Sequence, residues 1–159
     1  MNRLLVLSLL AFCSLSVSAQ PKETPVTNPN YDAALAKKLS GNDGGMRNYV
    51  LAILKTGPND ASITNKNERA KLFAGHMSNI GRLADEGKIA VAGPFGKNDK
   101  SFRGLYIFAV DTVQEAQALA VSDPAIKAGI FVVDYIPWFG SASLMATPEI
   151  HKRISKNPN

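Results

Sequence analysis

Cysteine is all but missing from this chain. Cys13 is the only one among 159 residues, and it lies in an apolar leader rather than in the region that reads as folded. Removing that leader would leave no thiol, which excludes a disulfide framework, a cysteine nucleophile and a cysteine-bound metal. Histidine is scarce too, with only His76 and His151. Two histidines without cysteine partners do not compose a transition-metal site, so no metal is expected. No cofactor is expected either, because no phosphate-cradling glycine loop, dinucleotide fingerprint or nucleophile elbow occurs. Beyond the leader, no apolar run approaches the length of a membrane span.

The leader, MNRLLVLSLLAFCSLSVSAQ, has a basic head at Arg3, an apolar run, and Val17-Ser18-Ala19 before Gln20. That order predicts a secretory signal over 1–19, cleaved after Ala19, and a periplasmic or secreted protein. A lipoprotein signal is the competing reading, since Leu10-Ala11-Phe12-Cys13 resembles a lipobox. Bulky Phe12 stands where such a motif has a small residue, and soluble export is preferred. One unit of the net charge of +5 belongs to Arg3. The other basic residues, such as Lys66, Arg69, Arg82 and Lys88, alternate with acidic and apolar ones. A nucleic-acid partner is therefore not expected, whereas a weak preference for anionic small molecules survives.

Residues 20–47 read as a linker, with Pro21, Pro25 and Pro29 followed by a short helix in YDAALAKKL that SGNDGG ends. The main domain spans 48–140. NYVLAILKTG predicts a first strand, and a helix follows from Lys66 to Glu86, with Asn65 and Glu68 at capping-box spacing and Gly87 as its stop. KIAVAGPF and FRGLYIFAV predict two further strands joined by the polar GKNDKS. TVQEAQALAVS predicts a second helix opened by Thr112 and Glu115, and DPAIKAG one more helical turn. IFVVDYIPWF is the fourth strand, ending at Pro137-Trp138, and 141–159 form a C-terminal helical extension.

The order βαββαβ predicts an α+β, ferredoxin-like domain: a four-stranded antiparallel sheet with both helices on one face. Strands three and four are apolar on both alternations, Leu105 and Ile107 against Tyr106 and Phe108, then Phe131 and Val133 against Val132 and Ile136. Two helices cover one face only, so another surface must cover the second. A second copy of the sheet, in a homodimer, is the simplest candidate.

Several of these residues together resemble one family. YVLAILKTGP, His76, Gly87, Ala92-Gly93-Pro94, Gly104, Ser122-Asp123-Pro124 and Pro137-Trp138 occur, in order over roughly 48–139, as in the YciI-related (YCII) family. The resemblance implies a dimeric αβ-barrel with a cleft in each protomer, and a His-Asp pair at His76 and Asp123. A few members of the family are enzymes, among them a dehydrochlorinase acting on a chlorinated hydroxyquinol, and most have no assigned reaction. The leader, the linker helix and the C-terminal extension depart from the usual pattern.

His76 shares a helical stripe with Leu72, Ile80 and Leu83. From position alone it is a core histidine satisfied by a backbone carbonyl; at a cleft wall it is a general acid/base. Asp123 before Pro124 is an N-cap signature, which occupies one carboxylate oxygen and leaves the other to orient His76. Gly93 and Pro94 are strand terminators that could line a substrate cleft. Arg103 is a candidate for an anionic ligand group, against a solvated strand start, and Trp138 a candidate for cleft or interface packing. His151 is expected to face solvent. Three functions follow, in order of preference: a cofactor-independent enzyme for proton abstraction, elimination or isomerisation of an unknown small molecule; a binding module using the same cleft; a non-catalytic structural dimer. A partly solvated cavity touching His76 separates the first two from the third. Export is directly checkable: N-terminal sequencing of the mature protein should begin at Gln20 or its cyclised form, and a lipid-modified Cys13 would contradict it.

Overall fold

In a computed structural model, residues 28–156 are described. The leader with Cys13, the cleavage expected after Ala19 and most of the proline-rich linker lie outside the described residues. From Asp32 to the end of the described residues the chain forms one compact unit.

Apolar alternation builds the sheet. β1 (Met46–Thr56), β2 (Ile89–Pro94), β3 (Phe102–Phe108) and β4 (Phe131–Ser141) align in the order β2-β3-β1-β4, every neighbour antiparallel. Between them run α2 (Lys66–Asp85), α3 (Val113–Ala120) and the single turn α4 (Pro124–Lys127); α1 (Ala33–Lys38) precedes β1. After β4 come a 3-10 segment (Ala142–Ala146) and α5 (Thr147–Ile154). The expected α+β, ferredoxin-like arrangement is the observed one. No helix among the described residues is long and apolar enough to cross a membrane.

One alternation, Val50, Ala52 and Leu54 with Tyr106 and Phe108, packs against Leu83 of α2 and Ala116 and Ala120 of α3. The other carries Tyr49, Leu51, Leu105 and Ile107. Part of this second face is covered by the chain itself, because Leu144 and Met145 of the 3-10 segment pack there. Along β4 the cover stops: Val132, Ile136 and Trp138, aligned with Lys55, Leu51 and Tyr49, remain 40%, 48% and 38% exposed.

Two strand ends differ from expectation. β1 begins at Met46 and β4 runs past Pro137-Trp138 to Ser141, so that Met46 pairs with Ser141. The borders expected at 48 and 140 fall inside this pairing. Pro137 does not end β4 because β4 is an edge strand, where a missing N–H leaves no ladder partner unsatisfied.

Helix ends follow the local chemistry. Asn65 accepts the N–H groups of Asn67 and Glu68, and Thr112 forms the reciprocal box with Glu115. Gly87, at φ +68°, ends α2 in the left-handed region that glycine tolerates. Gly75 serves a different purpose: a Cβ there would lie 2.8 Å from Pro124 Cγ. Its absence lets α2 settle against α4, which brings His76 to Asp123.

Candidate functional site

Three elements meet at one carboxylate. Asp123 caps α4 with Pro124 in the first helical turn, as Asp-Pro predicts, and its side chain is fully buried. Oδ1 accepts the N–H of Ala125 at 2.9 Å. Oδ2 accepts Nδ1–H of His76 at 2.7 Å and the hydroxyl of Tyr106 at 2.9 Å. Capping and histidine orientation therefore coexist on separate oxygens. A carboxylate acceptor places a proton on Nδ1, so in the neutral ring Nε2 is the nitrogen that carries the lone pair.

Burial drives the Asp123 carboxyl upward, but its bonds to His76, Tyr106 and Ala125 and the nearby imidazole outweigh that, so it is held below its ordinary value. The Tyr106 phenol moves the other way: burial, then the Asp123 charge and hydrogen bond, push it far up, and it stays protonated as a donor. Asn79 supports the arrangement from the side, accepting Arg82 at 2.8 Å and the Ser122 hydroxyl at 2.9 Å, which ties α2 to the turn ahead of Asp123.

His76 and Tyr106 stand in the wall of a cavity of about 680 Å³ between α2 and β2. Phe73, Ile80, Ile89 and Phe131 give it an apolar lining. Gly93, Pro94 and Arg103, each singled out from sequence, border it as well. Arg103 is neither free nor simply solvated: it bonds Asp60 at 3.1 Å and lies over the Phe131 ring at 5.6 Å. Asp60 is shared with Arg69, whose hydrogen bond, more than that of Arg103, holds the carboxyl below its usual range.

Trp138, a candidate for cleft or interface packing, sits on the second face of the sheet against Tyr49, ring centres 5.7 Å apart, away from the cavity, which leaves the interface alternative. The β4 alternation dictates this, since Trp138 shares the side of Val132 and Ile136. His151 is exposed as expected, and it also borders the cavity, together with Thr147 and Lys152 of α5. Sequence pattern alone makes Tyr106 a strand residue and nothing more. Its hydroxyl on a core-facing alternation was the available clue, because a buried tyrosine O–H needs a partner.

The lowered Asp123 carboxyl gives a signed expectation. A carboxyl lowered on folding stabilises fully above the unfolded value of about 3.9 and loses that contribution as pH falls through the lower folded value. Asn at 123 keeps an acceptor for the cap but cannot titrate. Urea unfolding at pH about 5 and about 3 should show a smaller acid loss in Asp123→Asn than in wild type. Equal losses would mean that Asp123 contributes nothing to acid sensitivity.

The YCII-related domain matches residues 49–139, a span that holds His76, Tyr106 and Asp123 and excludes α1 and α5. Among solved structures the chain is similar to 5-chloro-2-hydroxyhydroquinone dehydrochlorinase from Burkholderia phenoliruptrix AC1100, in complex with 2,5-dihydroxybenzoquinone. Identity is 23%, over 58% of this chain and 91% of that one, with a TM-score of 0.38. No curated protein matches the chain. More than half of its length lies within the matched span, and the chain belongs to the YCII-related domain family.

Proposed function

We propose that this protein is a cofactor-independent acid–base enzyme acting on a small molecule, with His76 as the proton acceptor. The observation that carries the reading is the cavity: a His-Asp pair serving only to secure a helix would be sealed by side chains, whereas His76 borders about 680 Å³ of space. In the reaction, Nε2 takes a proton from a C–H or O–H of the ligand and the bonding pair stays on the ligand. The proton then returns to another ligand atom, giving an isomer, or the electron pair expels a leaving group with its bonding pair, giving elimination, and Nε2 passes its proton to that departing group or to water. Asp123 stabilises the transient imidazolium. At about 4 Å and an effective dielectric near 20, that attraction is on the order of 4 kcal/mol before desolvation is subtracted. Tyr106 is a positioning residue, holding the Asp123 oxygen that holds His76.

A generic proton-abstraction probe tests this without knowledge of the natural ligand. In 5-nitrobenzisoxazole, removal of the ring proton breaks the N–O bond and releases a coloured phenolate. His76→Ala should lose about 100-fold or more of the wild-type rate, the ordinary weight of a placed general base, with Asp123→Asn between the two. A wild-type rate no greater than that of free imidazole would overturn the acid–base reading.

The same proposal has the protein exported, as residues 1–19 suggest, and paired sheet to sheet. The half-exposed Val132, Ile136 and Trp138 support pairing through the second face. A standard interface buries about 800 Å² per partner. Sedimentation at micromolar concentration should give twice the mature mass, and Ile136→Glu should shift it to monomer. A monomeric wild type would remove the dimer.

A further inference from the structure

The segment outside the family match contributes one wall of the cavity, and its chemistry differs from the rest. Thr147, Pro148, His151 and Lys152 of α5 border the space. Their spacing, i, i+1, i+4 and i+5, defines a single helical face. The one carboxylate of α5, Glu149, turns away, bonded to Lys38 at 3.2 Å. The face toward the cavity thus carries an imidazole and an ammonium. Lys152 reaches Asp85 at 2.5 Å, with the two side chains 55% and 60% exposed. A pair that open to water holds weakly, and an ammonium with three N–H donors keeps two for another acceptor.

Asp85 closes α2, and His76 lies nine positions earlier, about 13 Å along the helix axis at 1.5 Å per residue. The α2 residues that border the cavity between them are Met77, Ile80, Gly81 and Ala84, apolar or small. Asp85 borders the cavity as well, so the far end holds an ion pair open to water. A polar reacting group at one end, an apolar track, and at the other an ammonium with donors to spare beyond its weakly held partner describe a ligand of a definite kind. We infer that α5 is the specificity wall of the site, and that His151 and Lys152 select an elongated organic anion. Its apolar body lies along Ile80 and Ala84 while its anionic end meets Lys152. This rests on the proposed ligand-binding role of the cavity and goes beyond it in naming the ligand class and the residues that choose it.

Two fluorescent probes with the same ring system make the test: 1-anilinonaphthalene-8-sulfonate, an anion, and N-phenyl-1-naphthylamine, which lacks the sulfonate. With only two histidines in the chain, NMR resolves the imidazole signals, and His151→Gln assigns them. The full-length mature protein is used throughout, and because α5 buries no residue its variants should fold normally. The sulfonate should shift both imidazoles. Lys152→Met, which keeps the stem and removes the charge, should weaken the sulfonate about fivefold and leave the neutral probe within about twofold. If both probes shift His76 alone and Lys152→Met weakens neither, α5 is no specificity wall, while the cavity reading stands. If neither probe shifts His76, the cavity reading fails and this inference fails with it.

Discussion

A carboxylate with no exposure to water is the constraint from which the local structure follows. Ionised and without partners, Asp123 would cost several kcal/mol, more than most single contacts return. Its donors therefore come from three separate elements: the N-terminus of α4, the middle of α2 and the core alternation of β3. Meeting that demand fixes how closely α2 approaches α4, which is why glycine at 75 is needed beside Pro124. It also fixes the tautomer of His76 and turns its second nitrogen away from the carboxylate. A capping requirement and a catalytic geometry are thus the same hydrogen-bond network seen from two sides.

The fold was legible because its determinants are local. Periods of two and of 3.6, Gly87, Asn65, and the Thr112–Glu115 box each report on residues a few positions away. Even the Asp123 cap could be read from the Asp-Pro pair alone. The extent of β1 and β4 could not, because strand length is set by the partner: Ser141 is in β4 because Met46 is opposite it. Pro137 looked like a terminator only while the edge position of β4 was unknown.

The site was partly legible, and the missing parts share one cause. His76 and Asp123 stand 47 positions apart and were joined by family resemblance, not by spacing. Tyr106 escaped because an aromatic on a strand alternation reads as packing until its hydroxyl needs a partner. Trp138 stays open between cleft and interface in the sequence because aromatic character alone does not say which of the two it packs into. His151 was set aside since helix periodicity describes a helix by itself, and nothing in it says that α5 returns beside β2.

The two ends of the cavity are held in physically different ways. At His76 every polar atom that orients the ring is itself buried and bonded, so the geometry of a reacting group survives ligand exchange. At α5 no residue is fully buried: Thr147 and Pro148 are half-buried where the helix meets the 3-10 segment and β2, and exposed ion pairs through Lys38 and Lys152 add to that. Regions with few buried contacts open at low free-energy cost. A reaction of the proposed kind needs a fixed base, since a displacement of an ångström costs rate heavily, and gains from a wall that can vary without moving that base. A uniformly packed domain would supply the first and obstruct the second. Appending a weakly held helix to a rigid sheet separates them, so that changes in α5 can retune ligand choice without disturbing the network around Asp123.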